Sequence, residues 1–291
     1  MSPSEQKFTS RQYMITLDYE FFHYKDEPTL EVEYHNHDFY EVFFFISGKV
    51  TYIIEGKTYR LKPGDIILIN NKELHKPLIE SGEDYERIVV WIDPGYIASL
   101  CTDSTDLLMC FESSARKKYN LLRPGAESLQ NLKNIILKLE MANSSSGFGC
   151  SILRNVYLTE LIVYLNRAYL DTREEEIEID IAYNKKISEM IKYINLNLNE
   201  DLSLETLSAK FYISKYHLLR EFKKNTGYTI HRYIQQKRLI MAKILLKENM
   251  KVTEVCLRCG FGDYSNFIRS FKKEFGISPK KYCAKSQGTV L

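Results

Sequence analysis

The sequence predicts an α+β protein in two parts. A small β-sandwich or barrel backed by a helical pair comes first, and an all-α region with two helix-turn-helix units follows. Three observations carry this reading. Short apolar runs broken by turn residues, spaced by roughly ten positions, fill residues 30–92. Apolar residues at helical spacing then take over. Finally, one pattern occurs twice near the C-terminus: Arg220-x-Phe222-Lys223-Lys224-x-x-Gly227 returns 49 positions later as Arg269-x-Phe271-Lys272-Lys273-x-x-Gly276.

Charge separates the two parts. Residues 1–180 carry 19 Lys and Arg against 29 Asp and Glu, whereas residues 181–291 carry 21 against 9. An acidic half joined to a basic half is expected when only the basic half meets a polyanion. Hydrophobic residues make up 44% of the chain, enough for two cores. No run of 18 apolar residues exists, so no membrane span is expected, and the polar start MSPSEQKFTSRQ lacks the apolar core of a signal peptide. A cytoplasmic protein is the expectation. The six cysteines are scattered; Cys256 and Cys259 form a lone CxxC with no second pair, read as packing residues. No nucleophile–base pair, phosphate-binding glycine loop or paired-carboxylate signature stands out, so enzymatic activity is not expected.

The β region predicts strands at 41–46, 49–54, 65–69 and 88–92, punctuated by Gly48, Gly56, Pro63-Gly64 and Pro77. Within it lies His35-x-His37-x-x-x-Glu41, with His75 further on. Three imidazoles and a carboxylate suit a first-row metal, an organic ligand's hydroxyls, or internal hydrogen bonds. The organic pocket is preferred, and no metal or other cofactor is assigned. Tyr24, Tyr34, Tyr40, Tyr52 and Tyr59 are abundant nearby, with rings and hydroxyls that suit sugar recognition in a pocket, and Tyr24 and Tyr52 join His35, His37, Glu41 and His75 as candidate ligand contacts. Leu129, Leu132, Ile135, Ile136 and Leu139 predict one helix, and Ile152, Val156, Leu158, Leu161, Ile162 and Leu165 a second, with 143–147 as the loop. The domain expectation is a ligand-sensing domain over 1–170, an acidic linker over 171–183, a DNA-binding domain over 184–283 and a disordered tail over 284–291.

In the first helical unit Ser203 is a plausible N-cap, Leu204, Leu207 and Phe211 recur at helical spacing, and Tyr212-Ile213 makes the turn. Ser214 caps the next helix, where Leu218 and Phe222 face inward. Lys215, Tyr216, Leu219, Arg220 and Lys223 are left outside, and Gly227 closes the helix. In the second unit Val255, Cys256 and Cys259 build the first helix, 260–262 the turn, and Asp263 the next N-cap. Phe267 and Phe271 face in, while Tyr264, Ser265, Ile268, Arg269 and Lys272 face out. Gly276 ends that helix and 277–279 prevents continuation. Residues 229–246 between the units predict a rod of roughly 27 Å, long enough to hold two recognition helices about one DNA turn apart. Arg220 and Arg269 are the candidates for bidentate contacts to guanine, with Tyr216, Leu219, Tyr264 and Ile268 as apolar contacts. Ser214, Ser265, Lys215, Lys223, Lys224, Lys272 and Lys273 are placed on the same interface, the lysines on phosphates.

The segment from Ile187 to Tyr282 resembles the AraC/XylS family of transcription regulators. The resemblance rests on Leu207-Ser208, Ser214 with LLREFKK, Gly227, Arg238-Leu239, Ala242 and Leu245-Leu246. It continues through Cys256-x-x-x-Gly260-Phe261-x-Asp263-x-Ser265-x-Phe267 and Gly276-x-Ser278-Pro279-x-x-Tyr282. The family often has Ala where Ser208 and Cys256 stand, and Arg where Cys283 stands. The His35–His75 pattern looks like that of cupins, whose barrels serve as sensors in many members. The resemblance implies a ligand-responsive regulator of double-stranded DNA, an activator of carbohydrate-related genes. It further implies a small-molecule effector of the sugar class, a homodimer packed through the helical pair, and RNA polymerase as a partner.

Overall fold

The computed structural model describes residues 11–26, 32–80, 82, 84–112 and 119–286. These fall into two compact units, with the boundary in the chain between Ala182 and Tyr183.

The N-terminal unit contains β1 (Tyr19–Asp26), β2 (Tyr40–Ser47), β3 (Val50–Ile54), β4 (Lys57–Arg60), β5 (Ile66–Ile69), β6 (His75–Ile79) and β7 (Tyr85–Ile92). After these come α1 (Pro94–Leu100), β8 (Leu121–Leu122), α2 (Ala126–Asn143), α3 (Cys150–Asp171), α4 (Glu174–Glu178) and β9 (Ile181–Ala182). One sheet runs β1-β7-β2-β5-β8 and the other β6-β3-β4-β9. The four expected strands are β2, β3, β5 and β7; β1, β4, β6, β8, β9 and the short α1 were not anticipated. Alternation along β2 and β7 organises the unit. Tyr40, Val42, Phe44, Ile88, Val90 and Ile92 join the core beneath α2 and α3, where Leu132, Ile135, Leu139, Leu158, Leu161 and Leu165 are buried. The intervening Glu41, Phe43, Arg87, Val89 and Trp91 line a cavity instead.

The second predicted helix is α3, which turns Ile152 and Val156 outward, exposed at 68% and 51%. Three expectations need correction here. Tyr40 packs against Phe111 in the helix-side core, and the Tyr59 hydroxyl is committed to the Asn120 side chain, so neither reaches the cavity. The acidic stretch 171–183, expected as a linker, carries α4 and β9. Its apolar residues explain this: Ile177 and Ile181 are buried, β9 pairs with β4, and Asp180 is ion-paired to Arg123 at 2.8 Å. Finally, the supposed tail is helical through Ser286, while residues 287–291 lie outside the described residues.

The C-terminal unit is helical: α5 (Lys185–Leu196), α6 (Leu204–Lys210), α7 (Lys215–Thr226), α8 (Ile230–Lys247), α9 (Val252–Arg258), α10 (Tyr264–Phe275) and α11 (Pro279–Ser286). Pro279 therefore opens a helix, a first-turn position at which its missing N–H costs nothing. Ser203, Ser214, Thr229 and Asp263 each accept a backbone N–H at their helix starts. Gly227 and Gly276 close α7 and α10 at φ 75° and 74°. The second unit's core joins Leu239, Ala242 and Leu246 of α8 to Val255, Cys256, Phe261, Phe267 and Phe271. No helix is long and apolar enough to cross a membrane among the described residues.

Candidate nucleic-acid interface and ligand pocket

α7 and α10 present matching faces. Each buries an i, i+4 pair, Leu218 with Phe222 and Phe267 with Phe271, all fully buried. On α7 the opposite face exposes Lys215, Tyr216 (77%), Leu219 (43%), Arg220, Lys223 and Lys224. On α10 it exposes Tyr264 (47%), Ser265, Arg269, Lys272 and Lys273. The aromatic rings Tyr216 and Tyr264 are thus surface groups, available to a partner. Ile268 departs from the expectation: it is half-buried and packs against the second core, leaving only part of its side chain to offer. Lys215 is ion-paired to Glu205. The Ser214 hydroxyl caps α7 by accepting the His217 N–H at 3.4 Å. Arg238, by contrast, is internal: its guanidinium donates to Leu198 O and Glu200 O at 2.9 and 3.0 Å, tying α8 to the loop before α6. The CxxC thiols are free, and burial pushes the Cys259 thiol up to about 12, which keeps it protonated and unreactive.

In the N-terminal unit a cavity of about 280 Å³ is lined by Tyr24, His35, Glu41 and Tyr52, together with Arg11, Phe43, Tyr85, Arg87 and Trp91, which sequence reading missed. Arg87 and Trp91 were hidden because β7 reads as a near-continuous apolar run; only the alternation against the helical pair shows which residues turn inward. Arg87 lies between the Tyr24 and Tyr85 rings, 4.8 and 4.1 Å from their centroids, and is ion-paired to Asp26 at 2.7 Å. Glu41 accepts from Tyr52 Oη at 3.2 Å and Trp91 Nε1 at 3.0 Å. Burial opposes its charge, but the His37 contact and the neighbouring imidazoles outweigh that and hold the carboxyl at about 2. The carboxylate is therefore an ionised acceptor on a wall that combines aromatic rings with Arg11, Arg87 and His35. His37 and His75 are not on that wall; they stand beside His35, with His75 completely buried. Burial and the neighbouring imidazoles keep His75 neutral. Tyr34 is away from the cavity wall, its ring under the Lys76 ammonium.

The comparisons agree with this division. The chain matches the AraC-like ligand binding domain over residues 19–162 and a helix-turn-helix domain over residues 207–285. It is similar to the HTH-type transcriptional activator RhaS of Salmonella schwarzengrund, 27% identical over 248 residues that cover 84% of this chain and 85% of the relative. The RhaS of Salmonella typhi is 26% identical over the same shares. A solved structure, the C-terminal domain of the two-component response regulator yesN from Fusobacterium nucleatum, is 33% identical. It covers 34% of this chain and 99% of its own, with a TM-score of 0.33.

Proposed function

The chain belongs to the AraC/XylS family of transcription regulators, and on that premise we propose that it is a ligand-responsive, sequence-specific DNA-binding activator of carbohydrate-related genes. The observation that carries the proposal is the repetition of one exposed basic and aromatic helix face on α7 and α10, each built on a buried pair and separated by the 18-residue α8. Arg220 and Arg269 read base edges, and Tyr216, Leu219, Tyr264 and the exposed part of Ile268 make apolar contacts there. Ser214, Ser265, Lys215, Lys223, Lys224, Lys272 and Lys273 position the helices on the sugar-phosphate backbone. In the N-terminal unit, aromatic rings beside the ionised Glu41 carboxylate, with Arg11 and Arg87 already paired to Glu20 and Asp26, suit a polyhydroxyl molecule. Its hydroxyls donate to the carboxylate and its C–H faces lie on Tyr24, Tyr52 and Trp91. The exposed apolar residues Leu137 and Met141 on α2, and Ile152, Leu153 and Val156 on α3, support a homodimer packed through the helical pair. RNA polymerase as a partner, a cytoplasmic location and the absence of enzymatic activity follow from the family reading.

Footprinting on the DNA beside the protein's own gene, across a salt series, tests this. The expected result is a protected stretch spanning adjacent major grooves on one face, with log affinity falling by roughly 0.9 per phosphate neutralised for each decade of salt. Folded protein that binds with no preferred site would overturn it.

A further inference from the structure

β1 is an edge strand, hydrogen-bonded along its length to β7. Its two faces serve different neighbours. Phe22 and Tyr24 turn toward the cavity, where Tyr24 lines the wall and Phe22 packs edge-on against Trp91. Tyr19, Phe21 and His23 turn the other way, and Tyr19 and Phe21 pack on the core beneath α2 and α3. Two side-chain contacts tie this second face to α2. Tyr19 Oη donates to Asn143 Oδ1 at 2.8 Å, and His23 Nδ1 lies 2.8 Å from Glu140 Oε1. The other ring nitrogen of His23, Nε2, lies 2.9 Å from Glu86 Oε1 on β7. One imidazole thus bridges two carboxylates, one on the sheet and one on the helix.

That geometry suits one protonation state. Ionised carboxylates only accept, so each ring nitrogen must carry a hydrogen. A neutral imidazole has one N–H and would set its bare nitrogen against the other carboxylate, whereas the imidazolium donates to both. The three side chains are 25%, 27% and 18% exposed, so water screens their contacts in part. Around them, Ile88 of β7 and Ile136 of α2 are buried and apolar. Lys25, further along β1, is paired with Asp84 at 3.7 Å, and Arg154 of α3 acts on Tyr19. Burial works against a charge on His23, but the Glu140 and Glu86 carboxylates outweigh it and raise the imidazole above its ordinary 6.5. We propose that His23 is a proton-operated latch: the imidazolium ties the β1–β7 edge of the sheet to α2, and loss of its proton releases the helix from that edge. The helix so released carries the exposed Leu137 and Met141, and the strands it leaves carry Tyr24 and Arg87 on the cavity wall. Pocket wall and helical face therefore both respond to pH. The latch uses no feature of the DNA-facing helices, so its test and the footprint succeed or fail separately.

A histidine raised in the folded state contributes its full stability below 6.5, and that contribution is lost as pH rises through the folded value. In NMR of the full-length protein, the His23 ring signal, identified by its loss in His23→Gln, should titrate above 6.5. Glu140→Gln keeps the imidazole and one carboxylate, and should move that titration downward. Should His23→Gln fail to fold, the histidine signal that Glu140→Gln shifts identifies the residue. Hydrogen exchange at matched pH supplies a second readout. At about pH 6, His23→Gln should weaken protection of Tyr19–Asp26 and Ala126–Asn143 by roughly tenfold, the lower end for losing a hydrogen bond between charged groups. The gap should close as pH rises through the His23 titration. A His23 signal titrating at or below 6.5, a titration that Glu140→Gln leaves in place, or an exchange gap that does not change with pH would each overturn the proposal.

Discussion

The two helix-turn-helix units reach one geometry with different residues. Before the turn they correspond at an offset of 48 positions: Ser208 with Cys256, Tyr212 with Gly260, and Ile213 with Phe261. After it the offset is 49, because Gly262 lengthens the second turn by one residue. Both turns need a left-handed residue, and the first places Tyr212 there at φ 49° while the second places Gly260 at φ 74°. Both tie the first helix to the turn through a side chain reaching a carbonyl five residues on. Ser208 Oγ donates to Ile213 O at 2.6 Å, and Cys256 Sγ does so more weakly to Phe261 O at 3.7 Å. The first unit thus accepts backbone strain and offsets it with a strong hydrogen bond. The second has the relaxed backbone and the weak bond. The outward arginines differ in the same spirit. Arg220 is held by His217 at 3.2 Å and Glu221 at 3.4 Å, while Arg269 has no hydrogen-bond or ion-pair partner among the described residues. What repeats is a set of physical requirements, not a set of residues.

That comparison can be broken in graded steps. Truncating either buried aromatic anchor, Phe222→Ala or Phe271→Ala, should cost about 3–5 kcal/mol by denaturant unfolding. Similar losses are expected, and a loss at one site alone would mean that the two cores are not equivalent. Gly260→Ala comes next, at about 2–4 kcal/mol. The left-handed φ penalises any side chain, and a Cβ there would meet Leu198 O at 2.2 Å and Arg238 Nη2 at 2.9 Å. Tyr212→Gly should act in the opposite direction, stabilising by about 1 kcal/mol in the same assay; a loss there would show that Tyr212 earns its place by contact. Arg269→Ala and Arg220→Ala should each weaken operator binding by about 1–3 kcal/mol and relax specificity at one base pair. The larger effect is expected at Arg269, since Arg220 must first leave His217 and Glu221; quantitative footprints on single-base operator variants measure both. The smallest effect is at the turn bond. Ser208→Ala should cost about 1 kcal/mol of stability, and Ser208→Cys less, because it installs the second unit's own solution; equal losses would remove the parallel.

Legibility in the sequence followed how local the cause was. Caps at Ser203, Ser214 and Asp263, the buried pairs Leu218/Phe222 and Phe267/Phe271, and the closing glycines all act within a few residues, so spacing exposed them. The candidate DNA-facing residues followed by subtraction, except Ile268, which the second core partly claims. In the N-terminal unit the strands with strong apolar runs were readable, whereas β8 and β9 are only two residues long and exist through pairing with β5 and β4. The segment 171–183 read as a linker because acidic composition says nothing about an edge strand waiting to be paired.

The sequence by itself determined the two-part organisation, the repeated basic helix faces and the identity of His35, His37, Glu41 and His75 as a candidate cluster, because periodicity, charge and capping are properties of neighbouring residues. Only the tertiary structure decided that Arg87, Trp91 and Arg11 share a cavity with Glu41, and that His35, His37 and His75 each set Nδ1 against a backbone carbonyl. Those arrangements depend on strand pairings such as β1 with β7 and His35 with His75, whose partners lie tens of residues apart. No local pattern encodes which residues a pairing will set face to face.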